Sequence, residues 1–334
     1  MQSLAPRSNA SPSLSLVIPA FNEAHHLSTL IGQITSTLGH EIPRLEIIII
    51  NDGSTDHTPA VLQNLCSSDP RIVALHLSRN FGKESALSAG LEAAKGEVVV
   101  LMDADGQHPA PLILTMIEHW RQGYEVVYAV RRTRDDQSQL QIKLTALFYK
   151  LINWGNRVKI PPDAGDFRLM SRPVIESLIA LPERNRFMKG LYAWVGYPSI
   201  ALDYIPLSRA QGTSKFGFRG SLALAITGIV AFSVAPLRLL SLAGFFLSLA
   251  AMFYGTWVIG EYFLYGIDVP GYATIVVGLM FFSGIQMLSI GVLAEYVGRI
   301  YEEVKQRPKY LVAKRLGQGL ETDNRVSSET HSGH

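Results

Sequence analysis

The chain has 334 residues, with 30 Lys and Arg against 28 Asp and Glu for a net charge of +2. That balance excludes a nucleic-acid binder that works by broad electrostatics, and a single cysteine, Cys66, excludes an intrachain disulfide framework. A hydrophobic share of 48% at this length predicts a catalytic domain with an appended apolar module.

Residues 1–13 hold no apolar run of the signal-peptide kind and read as a flexible N-terminus. Ser13 to Ile18 is a β-rich apolar run ending at Pro19, and Ala24 to Leu38 has helical spacing. Leu45 to Ile50 is a continuous apolar run of the buried parallel-strand kind, followed by the turn Asp52-Gly53-Ser54-Thr55-Asp56, in which Asp56 reads as a helix N-cap. Ile72 to Leu77 and Val98 to Met102 read as further strands, with a helix over Lys83 to Lys95 between them. Strands alternating with helices predict an α/β domain on a parallel sheet. Ligands of such sheets bind beyond the carboxyl ends of the strands. The polar clusters Pro19–Glu23, Asn51–Asp56 and Asp103–Gln107 fall there. No G-x-G-x-x-G follows the first strand and no P-loop pattern occurs, which disfavours a dinucleotide fold and a P-loop enzyme.

The excess hydrophobicity lies near the C-terminus. Leu239 to Gly260 and Val269 to Ala294 are uncharged runs of about 22 and 26 residues, each enough to cross a bilayer as a helix. Lys215, Arg219 and Arg238 precede them, and Arg299, Lys305, Arg307 and Lys309 follow. The connection from Glu261 to Asp268 holds two acids and no Lys or Arg. The positive-inside rule then puts both flanks, the catalytic domain and both termini in the cytoplasm. Residues 220–237 are uncharged but interrupted by Pro236, and a third span would put the basic C-terminal flank outside. They read as a juxtamembrane, interfacial helix. The predicted organisation is a catalytic domain over 14–219, that helix over 220–237, two transmembrane helices within 238–298, a basic cytoplasmic segment over 299–316 and a disordered polar tail over 317–334.

Asp103 and Asp105 directly follow an apolar strand. Two carboxylates on one exposed turn repel unless a cation joins them, and carboxylate with diphosphate oxygens are the hard ligands that Mg²⁺ or Mn²⁺ prefers. Gln107 is a candidate third oxygen ligand. Such an ion would neutralise a departing diphosphate. Lys83 reads as a donor-phosphate contact or as a solvated helix start. His25, His26 and His108 read as solvated positions, and Trp120, Trp154 and Trp194 as core or interfacial packing. Glu295 reads as snorkelling to the interface or pairing with Arg299 one turn on.

Pro19-Ala20-Phe21-Asn22-Glu23, Asn51-Asp52-Gly53-Ser54-Thr55-Asp56 and Asp103-Ala104-Asp105-Gly106-Gln107-His108-Pro109 resemble the family 2 glycosyltransferases of GT-A fold. Ser78–Lys83, Gly165–Met170 and Arg209–Lys215 narrow the resemblance to polyprenyl-phosphate glycosyltransferases, the undecaprenyl-phosphate glucosyltransferases and dolichol-phosphate mannose synthases. It covers roughly Leu14 to Lys309. The resemblance implies a UDP-hexose donor, a polyprenyl phosphate acceptor at the bilayer, no nucleic acid, and a homo-oligomer, tetrameric in related membrane members. It implies that Pro19, Phe21 and Glu23 contact the nucleoside and that Asp52 reads the uracil edge. Asp103 touches ribose or metal, while Asp105 and Gln107 coordinate metal. Arg209, Ser214 and Lys215 close on the donor diphosphate, and Arg131, Arg132 and Arg134 are candidates for the acceptor phosphate. Asp166 is placed either as a base or as a group that orients Arg168 or the acceptor. A processive polysaccharide synthase is the alternative, but the chain has no Gln-x-x-Arg-Trp motif. A scaffold without activity would require a degraded metal site.

Overall fold

The computed structural model describes residues 6–8, 10–132, 153, 159, 161, 164–207, 235–265 and 271–320. It divides into two compact units: Met1–Ile142 with Ile160–Lys215 and Pro308–His334, and Lys143–Lys159 with Phe216–Arg307.

The first unit is built on an eight-stranded sheet: β1 (Leu14–Ala20), β2 (Leu45–Asn51), β3 (Ile72–Leu77), β4 (Val98–Leu101), β5 (Val126–Arg131), β6 (Ala164–Ser171), β7 (Ser199–Tyr204) and β8 (Val312–Leu316). Their order is β7-β5-β6-β4-β1-β2-β3-β8. The core β4-β1-β2-β3 is parallel, as the alternating pattern predicts. Every residue of β2 and β4 is buried, which is why both read as unbroken apolar runs.

The sheet is mixed where a parallel one is expected. β6 runs antiparallel between β4 and β5, and β8 runs antiparallel along β3. β8 lies in the stretch read as a basic cytoplasmic segment. Its residues are mostly exposed and its Lys and Arg suit an edge strand, which hides it from a search for apolar runs. The following residues are held too: Leu320 N–H donates to the buried Glu46 Oε2 at 3.0 Å, and Gly319 N–H to the Pro70 carbonyl at 3.3 Å. Thus Gly319 and Leu320, within the stretch read as a disordered tail, are hydrogen-bonded to the domain.

The helices of this unit are α1 (Ala24–Leu38), α2 (Thr58–Ser68), α3 (Lys83–Ala93), α4 (Leu112–Arg121), α5 (Arg172–Ala180) and α6 (Met188–Trp194). α3 lies close on the sheet because Gly90 has no side chain: a Cβ there would stand 2.3 Å from Val17 Cγ1 and 2.7 Å from Ile50 Cδ1. That contact fixes the start of α3, and with it Lys83, over the carboxyl ends of the central strands. Asp56 accepts the Thr58 N–H at 3.0 Å, an Asx-type turn just before α2, but the N-cap position itself falls on His57 rather than on Asp56 as expected. Trp120 is core, with the Arg7 guanidinium 4.7 Å from its ring centroid, whereas Trp194 is exposed. Trp154 lies outside the described residues.

The second unit holds two long helices, α7 (Ala235–Tyr265) and α8 (Tyr272–Lys305). Leu239–Val258 and Thr274–Lys305 are long and apolar enough to cross a membrane, with mean hydropathies of 1.7 and 2.0. Large apolar side chains such as Trp257, Phe263 and Met280 are exposed along them, the pattern of a lipid-facing surface. Both helices outrun the uncharged stretches that announce them. α8 continues through Glu295 and Arg299, which pair at 3.2 Å, and ends at Gln306 in the left-handed conformation just before Arg307-Pro308. The expected helix over 220–237 lies almost wholly outside the described residues, apart from the α7 start.

Candidate active site

The site is assembled by the antiparallel pairing of β4 with β6. Leu101 pairs with Arg168, and extending that register by two residues sets Asp103 opposite Asp166. Two carboxylates so placed need a cation between them. Lys83, the first residue of α3, supplies it: its Nζ lies 2.6 Å from Asp103 Oδ1 and 2.7 Å from Asp166 Oδ2. Burial works against the Lys83 ammonium, but Asp166 and Asp103 outweigh it and hold its pKa above the ordinary lysine range. Burial would likewise raise both carboxyls. Lys83, then His108, holds Asp103 well below the usual carboxylate range, and Lys83 with Lys189 lowers Asp166. The second Asp166 oxygen, Oδ1, is buried and has no hydrogen-bond partner among the described residues.

The turn after β4 depends on Gly106, whose φ of 72° suits glycine, and it lets the Gln107 N–H donate to Asp105 Oδ1 at 3.1 Å. The Gln107 side chain is engaged as well: its Oε1 accepts from Arg131 Nη2 at 2.9 Å. Arg131 therefore stands next to the acidic turn, while Arg132 is exposed and ties its own N–H to the Tyr204 carbonyl at 3.0 Å. His108 departs from the solvated reading. It is buried, with its ring centroid 4.6 Å from that of Phe167, its Nδ1 3.2 Å from the Tyr204 hydroxyl and its Nε2 3.7 Å from Asp103 Oδ2. The apolar wall of Phe167 and Tyr204, both long-range neighbours, covers a residue that looks like loop in the sequence.

Behind this row sits a second polar layer. The buried Arg168 guanidinium lies 3.7 Å from the Tyr192 ring centroid and donates through Nη2 to the Gly165 carbonyl at 2.6 Å. Glu84 Oε2 accepts the Met188 N–H at 3.0 Å, tying α3 to the first turn of α6. Burial and nearby Asp166 push the Glu84 carboxyl up to about 7. Glu84 and Tyr192 have no motif that marks them; Glu84 reads as an acid in a helix's first turn, and only the packing of α6 gives it a partner.

Asp52 is a buried clamp. Its Oδ1 accepts the Phe81 N–H at 2.7 Å and its Oδ2 the Gly82 N–H at 2.9 Å, so it holds the loop that delivers Lys83. The segments after β1 and β2 are cross-tied. Asn22 N–H donates to Ser54 Oγ at 2.9 Å, Thr55 N–H to Asn22 Oδ1 at 2.8 Å and Glu23 N–H to Thr58 Oγ1 at 3.0 Å. Pro19 is half-buried beside Ile50 and Phe21 is exposed at the rim. Arg134, Arg209, Ser214 and Lys215 lie outside the described residues.

Among the described residues no three His, Cys, Asp or Glu side chains converge on a common point as a metal cage would require. Asp103 and Asp105 still fit Mg²⁺ or Mn²⁺. Both are hard oxygen donors, ions bound with a diphosphate use one or two carboxylates, and Asp103 already holds a positive group in Lys83.

Comparison with known proteins identifies the family. The glycosyl transferase family 2 model matches residues 15–179. A prophage-derived bactoprenol glucosyl transferase of Shigella flexneri is 42% identical over 301 residues, 90% of this chain and 97% of that one. A prophage bactoprenol glucosyl transferase homolog of Escherichia coli K12 is 41% identical over 301 residues, 90% of this chain and 98% of its own. Among solved structures, a mannosyltransferase from Pyrobaculum calidifontis in complex with GDP-Man and Mn²⁺ is 19% identical and covers 90% of this chain and 89% of its own, at a TM-score of 0.47. The mixed α/β sheet, the acidic turn at its carboxyl edge and these near-full-length relatives place the chain among the glycosyltransferases, and it belongs to glycosyl transferase family 2.

Proposed function

We propose that this glycosyltransferase moves one hexose, glucose by preference, from a UDP-sugar to polyprenyl (undecaprenyl) phosphate at the cytoplasmic face of the plasma membrane, with inversion at the sugar carbon. The observation that carries the reading is near-full-length likeness to proteins named for glucosyl transfer to bactoprenol. Two helices long and apolar enough to span a membrane fit an acceptor that lives in one. For topology, β8 follows α8 in sequence yet shares a sheet with β1, which supports a hairpin that enters and leaves the bilayer on the same face.

The acceptor's own chemistry simplifies the reaction. A phosphate monoester has a second pKa of about 6 and is largely ionised near neutrality, so its oxygen attacks without a base. Asp166 is a poor proton acceptor, being held below its ordinary range by Lys83 and Lys189 against the effect of burial. Its role is to seat Lys83. Mg²⁺ or Mn²⁺, held through Asp103 and Asp105, would supply positive charge to the diphosphate leaving group. Lys83 adds a second cation on the donor side, and the position of Arg131 beside Gln107 and the acidic turn supports it as a candidate for the acceptor phosphate. Arg132 and Arg134 share that assignment as candidates. Pro19, Phe21, Glu23 and Asp52 line the nucleoside end, while Arg209, Ser214 and Lys215 close over the diphosphate.

Membranes carrying the chain, incubated with radiolabelled UDP-glucose and undecaprenyl phosphate, test this. The expected product is soluble in chloroform and labile to mild acid, and Asp105→Ala inserts in the membrane but forms none. An insoluble polymer would turn the reading to a polysaccharide synthase. Lipid product from GDP-mannose but not from UDP-glucose would reassign the donor.

A further inference from the structure

We propose that Lys83 gates cation binding: it occupies Asp103 in the donor-free protein and passes to the diphosphate when the nucleotide sugar arrives, so that donor and divalent cation enter as a coupled pair. This rests on the metal assignment above and extends it to the order in which the site fills.

The geometry points to a competition for one oxygen. Asp103 Oδ1 is 2.6 Å from the Lys83 ammonium, and a divalent cation on that oxygen would meet a like charge at contact range. Lys83 is built to move. Its backbone is held where Asp52 clamps the Phe81 and Gly82 N–H groups, but its four-carbon side chain is 36% exposed and can swing by rotation about its own bonds. Its departure does not strip Asp166 of all positive charge, because Lys189 also acts on that carboxylate. A diphosphate, with several negative oxygens, is a stronger partner for the ammonium than one carboxylate. Donor binding thus removes the cation that blocks Asp103 and brings phosphate oxygens to complete the coordination. By linkage, the donor strengthens cation binding by the factor that the cation strengthens donor binding.

The test is direct Mn²⁺ binding to the full-length chain in detergent, read from loss of the free-ion paramagnetic signal, with and without UDP. UDP itself ligates the ion, so the comparison without UDP decides. Lys83→Met is expected to bind Mn²⁺ without UDP about tenfold more tightly than wild type, within the usual span of site coupling. UDP is then expected to add less to its Mn²⁺ affinity than to the wild type's. Lys83→Gln, polar but uncharged, guards against a folding failure; it must show the same gain. Lys83→Arg keeps the charge and must behave as wild type. Unchanged or weaker Mn²⁺ binding by Lys83→Gln without UDP overturns the gate alone. Wild-type protein that takes up no Mn²⁺ even with UDP overturns the metal assignment and the gate together.

Discussion

Asp52 offers a prediction whose size follows from two hydrogen bonds. The residue is 4% exposed, and its carboxylate accepts the N–H groups of Phe81 and Gly82 at 2.7 and 2.9 Å. Hydrogen bonds to a charged group contribute about 1.5–3 kcal/mol each. Both donors are half-buried, so water replaces part of the loss, and the lower end of that range applies to each. Asp52→Ala should therefore destabilise the 78–83 loop by about 3 kcal/mol, and Asp52→Asn, which keeps one acceptor, by roughly half of that. The assay is hydrogen exchange at the amides of Phe81 and Gly82, followed by mass spectrometry of a peptide spanning the loop. At about 1.4 kcal/mol per tenfold, Asp52→Ala should speed exchange there about a hundredfold, while peptides from α4 exchange as in wild type. Sugar transfer should fall as well, because the loop delivers Lys83. Exchange within about threefold of wild type together with lost UDP affinity would refute the clamp and leave Asp52 as a reader of the base alone.

Glu84 should make stability depend on pH in a stated direction. Its carboxyl stands at about 7 when folded, against 4.5 for the free group, because of burial and nearby Asp166. The folded chain holds that proton more tightly, so the contribution is full below pH 4.5 and is lost as pH rises through about 7. Glu84→Gln should thus lose less thermal midpoint than wild type between pH 5 and pH 8; identical losses would sink the assignment. Truncation after Arg307 removes β8 and the Leu320 contact to Glu46, leaving β3 as an open edge. The truncated chain should still insert in membranes, but its catalytic unit should aggregate or be cleaved by protease at concentrations that spare the full chain; equal resistance would show that β8 contributes nothing. A topology reporter fused after Leu320 should score on the same face as one fused before Leu14, and opposite faces would contradict the shared sheet.

Much of this protein was legible before any coordinates. Buried strands such as Leu45–Asn51 announce themselves because a strand covered on both faces has no polar alternation. The two long apolar helices announce themselves because a bilayer admits few charges. The acidic turn after β4 was visible as a polar cluster at a strand end, and its family likeness supplied the chemistry. What the sequence could not carry is everything set by long-range pairing. Asp103 and Asp166 are 63 positions apart and meet only because β6 turns antiparallel beside β4. Lys83 bridges them only because Gly90 lets α3 settle on β1 and β2. His108 is buried by Phe167 and Tyr204, and Glu84 gains its partner from α6, neither of which any local spacing encodes. β8 is the plainest case. A short, exposed, basic strand has no pattern of its own, and its state is decided by the free edge of β3 that it covers.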